Sequence, residues 1–133
     1  EDLEKIEYRE LPKWHEEGVF DEKEWVIVSH NRETIKNLMW EYVGIVRSNR
    51  RLDKAYKRLS MIKEEIDEFY TRNPINADLL ETRNIATIAK LIVYSALQRK
   101  ESRGAHYNVD FPREDDLFKK DTIINRFQAK EMV

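Results

Sequence analysis

Apolar residues recur along this chain in two different periods, and the change of period divides it. Ile35, Leu38, Met39, Tyr42, Val43 and Val46 follow the i, i+3, i+4, i+7 spacing that lines one face of a helix. Ser29 and Asn31, just before them, are suitable N-caps. Gly44 weakens this helix, and Ser48-Asn49 permits a break or bend. A second helical face runs through Leu52, Ala55, Tyr56, Leu59, Ile62, Ile66 and Phe69. Asp53 and Lys57 are placed to pair one turn apart on its outside. Arg72-Asn73-Pro74 ends it, because proline disfavours helical backbone in the residue before it.

A third helix is expected from Asn76 or Asp78 to about Lys100. At roughly 100° per residue, Ile85, Ala86, Ile88, Ala89, Ile92, Val93 and Ala96 cover more than half of its circumference. Arg83, Thr87, Lys90 and Tyr94 occupy the narrower remainder. A helix apolar over so wide an arc touches neighbours on more than one side: two helices, or a helix pair and another domain. Gly104 then ends the helical pattern as a left-handed C-cap. Beyond it the period becomes two. Ala105, Tyr107, Val109 and Phe111 alternate with His106, Asn108 and Asp110, the pattern of a half-buried strand or extended arm. Pro112 closes the arm, a charged turn spans Arg113 to Asp116, and Thr122 to Phe127 reads as a second short strand before a frayed tail.

The residues ahead of the first helix lack any period. Tyr8, Leu11, Trp14 and Phe20 stand isolated among charges, punctuated by Pro12 and Gly18, and the stretch ends in Trp25-Val26-Ile27-Val28. Three parts follow: a linker and lead-in over 1–28, a three-helix domain over 29–112, and a C-terminal extension over 113–133. The fold class is mainly α, a three-helix antiparallel bundle with an extended C-terminal arm or short strands.

Composition narrows the chemistry. The 133 residues suffice for one domain with its own core. Twenty-four Lys and Arg against 26 Asp and Glu leave a net charge of −2, which gives no overall attraction to nucleic acid or anionic lipid. A charged fraction of 38% with only three Gly and three Pro suits long helices with ion-paired outer faces. The absence of cysteine excludes disulfides, Cys-ligated zinc, iron–sulfur clusters and thiol catalysis. No apolar run approaches the roughly 20 residues that span a bilayer, and no signal peptide is read. A cytoplasmic protein without membrane or nucleic-acid partners is therefore expected. A chain beginning Glu1-Asp2-Leu3 is further expected to be a fragment or a processed product.

Sites for known chemistries are hard to write into this sequence. Glycine occurs only at 18, 44 and 104, so neither a dinucleotide fingerprint nor a P-loop is possible. His15, His30 and His106 share no metal-ligand spacing, although His15-Glu16-Glu17 sets an imidazole beside carboxylates. Ser102, His106 and Asp110 fall on one side of an extended arm, too far apart for a hydrogen-bonded triad. No catalytic, cofactor-binding or metal residue is assigned. Arg50, Arg51, Lys54, Lys57 and Arg58 do form a basic face opposite the apolar stripe of the second helix. Glu64, Glu65, Asp67 and Glu68 follow on the same helix, so the charges oppose its macrodipole. Such placement points to a solvated face or to an inter-domain contact that sets it.

Two stretches carry a resemblance. Leu38-Met39-Trp40-Glu41-Tyr42-Val43-Gly44-Ile45-Val46-Arg47, with Arg51-Leu52 after it, resembles the MWDYVGIVR…RL segment of L-aspartate oxidases. Lys100-Glu101-Ser102-Arg103-Gly104-Ala105-His106-Tyr107-Asn108-Val109-Asp110-Phe111-Pro112 resembles the RxESRGxHYxxDYP segment of the wider succinate dehydrogenase, fumarate reductase and L-aspartate oxidase flavoproteins. Phe111 stands where tyrosine is usual. The likeness spans about residues 29 to 127 and matches the C-terminal three-helix domain of that family.

The resemblance implies a parent enzyme that oxidises L-aspartate to iminoaspartate with FAD, using dioxygen or fumarate as acceptor, and so feeds NAD synthesis. It implies that the His and Arg residues of catalysis lie in the flavin and capping domains, so none is transferred here. No cofactor is expected in this chain, and its partner would be the flavin-binding domain of the same polypeptide. Candidate inter-domain contacts are Trp40, Arg47, Arg103, Gly104, His106, Tyr107, Asp110 and Phe111. In that scheme Arg103 and His106 bond across the boundary, while Tyr107, Phe111 and Trp40 supply apolar anchors. The equivalent domain of a succinate or fumarate enzyme, or an independent helical binding module, are the alternatives.

Overall fold

The computed structural model describes residues 25–125. The expected lead-in up to residue 24, with His15, and the end of the expected second strand at Phe127 lie outside the described residues. The element order is α1 (Val26–Tyr42), β1 (Val46–Arg47), α2 (Asn49–Arg72), α3 (Ala77–Gln98) and β2 (Tyr107–Asn108), then a 3-10 turn at Asp116–Phe118.

Contacts at the helix ends fix the topology. Trp25 meets Phe69 edge-to-face at 5.2 Å, so the start of α1 lies by the end of α2. Arg83 at the start of α3 bonds Asp67 near the end of α2 at 3.1 Å, while Tyr94 lies 6.5 Å from Tyr56 further back along it. Arg32 of α1 pairs with Asp78 and Glu81 in the first turns of α3. The chain therefore runs up, down and up, with α2 antiparallel to both neighbours. Leu52, Ala55, Leu59, Ile66, Leu79, Ala86 and Val93 are buried where the helices meet, and Ile35 and Leu38 close the core from α1.

Most helix limits follow the capping chemistry. Ser48 accepts the Arg51 N–H to open α2, and the Asn76 Oδ1 accepts the Leu79 N–H at 2.8 Å to open α3. Asn73 ends α2, its amide side chain donating to the Phe69 carbonyl, one residue before Pro74. The expected Asp53–Lys57 pair forms at 2.8 Å.

The first helix departs from expectation at both ends. It begins at Val26, so Ser29 and Asn31 lie inside it rather than capping it. Ser29 donates back to the Val26 carbonyl, and Asn31 is buried and donates to Glu65 of α2. The lead-in joins the helix because Trp25 and Val28 find apolar cover at the end of α2, and tertiary burial outweighs a missing cap. At the other end α1 stops at Tyr42, and Val46, expected on its apolar face, lies exposed in β1. No strand forms at 122–125.

Candidate functional site

After α3 the chain folds back on itself between residues 99 and 115, and this segment holds most of the candidate residues. At its centre is Glu101, fully buried although it follows an exposed Lys100. Its carboxylate accepts from Arg99 Nε at 3.0 Å, from Arg103 Nε at 3.1 Å and from the Asp115 N–H at 3.0 Å. The two guanidinium groups also approach it through their second nitrogens, at 2.9 and 3.0 Å. The hydrogen bond from Arg103 holds the Glu101 pKa down to about 2, against burial, which pushes it up. Arg103 reaches on to Glu114 at 3.0 Å, and Arg99 to the carbonyls of Phe118 and Lys120. One carboxylate thus ties both ends of the segment to the 3-10 turn.

Gly104 sits at φ +58°, six residues beyond the last residue of the helix it was expected to cap. It occupies a four-residue turn in which Arg103 and His106 exchange backbone hydrogen bonds of 2.9 and 3.1 Å. A positive φ at the first central position alone is the type II′ pattern, which selects glycine. Space around it is open, so any side chain would suffer from the backbone conformation alone. Gly104→Ala is expected to cost about 1–3 kcal/mol, measured by thermal unfolding; an unchanged Tm would remove the strained turn from the account.

The turn delivers His106 to Arg47. Arg47 Nη1 donates to His106 Nδ1 at 2.9 Å, and His106 Nε2 donates to the Arg99 carbonyl at 3.1 Å. A guanidinium has only donors, so Nδ1 accepts and the ring is neutral with its proton on Nε2. Burial lowers the His106 pKa first, and Arg47 and Arg99 lower it further. Burial also lowers that of Arg47, whose Nε is held by the Gly44 carbonyl at 2.7 Å. This junction accompanies the parallel pairing of β1 with β2, Val46 beside Tyr107 and Arg47 beside Asn108.

The alternation expected for residues 105–111 survives over 105–109, where it is inverted, and ends at an exposed Asp110 and a half-buried Phe111. His106 and Asn108 are buried, whereas Tyr107 is 43% and Val109 50% exposed. Hydrogen bonding explains the inversion. Asn108 Nδ2 donates to Asn49, its Oδ1 accepts the Asp110 N–H, and its backbone N–H donates to Ser102 Oγ. Ser102 Oγ also donates to the Phe111 carbonyl at 2.7 Å. Every buried polar group named here has a partner, so burying them carries no desolvation penalty left unmatched.

Asp110 is exposed but accepts the Asn49 N–H at 2.7 Å, placing a carboxylate at the start of α2. A carboxylate of the same chain thus offsets part of the adverse charge at the head of that helix. The structure therefore gathers Arg47, Arg103, Gly104, His106, Tyr107, Asp110 and Phe111 around one clasp on the ends of α1 and α3. Ser102, His106 and Asp110 each bond elsewhere and form no triad.

Trp40 is not part of the clasp. Its side chain is 86% exposed and lines a groove of about 720 Å³ with Glu41, Tyr42, Ser48, Arg50, Arg51 and Lys54. Of the basic face, Lys57 pairs with Asp53 and Arg58 lies 5.7 Å from the Tyr42 ring centre. Among the described residues there is no cluster of three or more metal-ligating side chains, and no helix is long and apolar enough to cross a membrane.

Glu101, Arg99 and Asn108 were given no role from sequence, and Ser102 was weighed only as a triad member. The Arg99-x-Glu101-x-Arg103 alternation was the available signal: two cations flanking one anion at a spacing that only an extended backbone brings to one side.

The family described as the C-terminal part of fumarate reductase flavoproteins matches residues 32–133. The L-aspartate oxidase of Pseudomonas aeruginosa is 47% identical over 116 residues, 86% of this chain and 21% of its own length. L-aspartate oxidase 1 of Ralstonia nicotianae is 48% identical over 77% of this chain and 19% of its own. The chloroplastic L-aspartate oxidase of Oryza sativa subsp. japonica is 42% identical over 76% and 16%. The chain spans about a fifth of the length of these relatives.

Proposed function

Because this chain belongs to the fumarate reductase flavoprotein C-terminal family, we propose that it is the non-catalytic helical domain of an FAD-dependent L-aspartate oxidase. The supporting observation is identity above 40% to L-aspartate oxidases over most of this chain but only a fifth of theirs. In this reading the parent enzyme oxidises L-aspartate to iminoaspartate with FAD and supplies NAD synthesis. A cytoplasmic location belongs to the same reading and is supported by a chain without cysteine.

The residues of this chain do not fit the flavin. A dinucleotide site needs a glycine-rich turn into a helix N-terminus. The described helices open instead on Trp25, Ser48 and Asn76, with no glycine-rich turn leading into them. FAD is therefore assigned to the rest of the polypeptide, together with the catalytic groups. In this scheme Trp40, Tyr107 and Phe111 present apolar surface to that part. Arg47, Arg103, Gly104, His106 and Asp110 hold the clasp in the shape that presents it.

Purified full-length gene product is expected to be yellow and to lose its flavin absorbance when L-aspartate is added without oxygen, but not with succinate. The 133-residue chain alone is expected to be colourless and inactive. A full-length product without flavin, or one bleached by succinate alone, or oxidation of L-aspartate by the isolated chain, would each overturn the proposal.

A further inference from the structure

The outer face of α3 is apolar where solvent should favour charge. Its inner face, Leu79, Thr82, Ala86, Ala89, Val93 and Ala96, is buried in the bundle. The narrower polar arc lies against α2: Arg83 bonds Asp67 and stacks on Tyr70 at 4.5 Å, and Lys90 is buried over Tyr56 at 5.3 Å. That rotation leaves Leu80, Ile88 and Ile92 outward, 37%, 55% and 42% exposed, with Asn84 between them. Glu81 is the single exposed charge from Leu80 to Ser95, and it is already paired with Arg32.

This face spans about 22 Å at 1.5 Å per residue. Its far end opens into a groove of about 330 Å³, where Ile88, Leu91, Ile92 and Ser95 meet Arg47, Arg99 and His106 of the clasp. Strip and clasp are one continuous surface. A contact made once and kept tolerates an uncharged strip of this kind, whereas contacts that open and close are more polar. The relatives' length supplies the occupant, since about four-fifths of each lies outside the part this chain matches.

We propose that the outer face of α3, from Leu80 to Ser95, is the seat of the flavin-binding part of the same polypeptide. The proposal rests on the function assigned above. That part buries Ile88 and Ile92 and closes over the groove beside His106. The seat is permanent, so the clasp and the strip dock together.

The test is the double substitution Ile88→Asp with Ile92→Asp, made in the full-length polypeptide and in the 133-residue chain. In the full-length protein, protease cleavage between the two parts is expected to accelerate at least about tenfold, as the open population grows. In the 133-residue chain the same changes fall on exposed positions and leave the Tm unchanged; Met61→Asp, on exposed α2 surface, is silent in both. Unchanged cleavage in a flavin-loaded full-length variant would overturn the seat and leave the assigned function standing. A full-length product without flavin would instead remove the function on which the seat rests. Sedimentation of the 133-residue chain as a dimer that the double substitution dissolves would overturn the proposal by giving the face to a second copy.

Discussion

Glu101→Gln is expected to lower the Tm at pH 7 and to remove a defined part of the chain's acid sensitivity. The wild-type carboxylate is buried, serves two guanidinium groups and a backbone N–H, and titrates at about 2 rather than near 4.5. A group with its folded pKa depressed stabilises the fold above its unfolded value and loses that effect as the pH falls through its folded value. The Tm difference between wild type and variant should thus be full above about pH 4.5 and shrink toward pH 2. The other carboxylates titrate in both proteins and cancel in the difference. Glutamine keeps the shape and one acceptor but leaves Arg99 and Arg103 without the anion between them, a change that costs more than it would on the surface. Hydrogen exchange should locate the loss between residues 99 and 118. A Tm difference equal at pH 2 and pH 7, or no difference at all, would show that the clasp does not depend on this charge.

The helices were legible because burial here follows a single period. Six of the seven apolar positions read for α2 are buried, and the seventh, Tyr56, packs partly buried beside Tyr94. Asn76 and Asn73 announced a cap and a stop that depend only on local chemistry. The start of α1 was misplaced for the opposite reason. Nothing near Trp25 states that Phe69, 44 positions away, will cover it and extend the helix backwards.

The clasp was legible as a place and not as a mechanism. Alternation of apolar and polar residues from 105 to 111 announced extended backbone, which forms only at Tyr107–Asn108 between turns at 104–105 and 109–110, and its usual meaning, apolar side inward, failed. Period two states only that alternate residues share a side; which side is buried depends on partners. Here Ser102, Asn49 and Arg47 satisfy the polar set, so His106 and Asn108 go inward and Tyr107 and Val109 outward. The same limit applies to α3. Its wide apolar arc was visible, but the isoleucines could be placed outside only once Arg83 and Lys90 were seen against α2.

Leu59→Ala, in the middle of α2, tests the bundle on which both surfaces depend. Leu59 is fully buried on the one helix that runs antiparallel to both neighbours, so a truncation there leaves a cavity in the core. Large-to-small changes at such sites cost about 2–5 kcal/mol, a sizeable share of the roughly 5–15 kcal/mol that stabilises a domain. The Tm is expected to fall by roughly 10 °C or more. Met61→Ala, two residues along the same helix and 64% exposed, is the control, with an expected change within about 0.5 kcal/mol. The two substitutions share a helix and differ in the face they touch. Equal losses would mean that burial does not distinguish the two faces of α2, against a helix held by the packing of Leu52, Leu59 and Ile66 between its neighbours. A large loss at Leu59 alone ties the clasp to the core, because Asn49 at the head of α2 holds Asn108 and Asp110 only while that helix keeps its position.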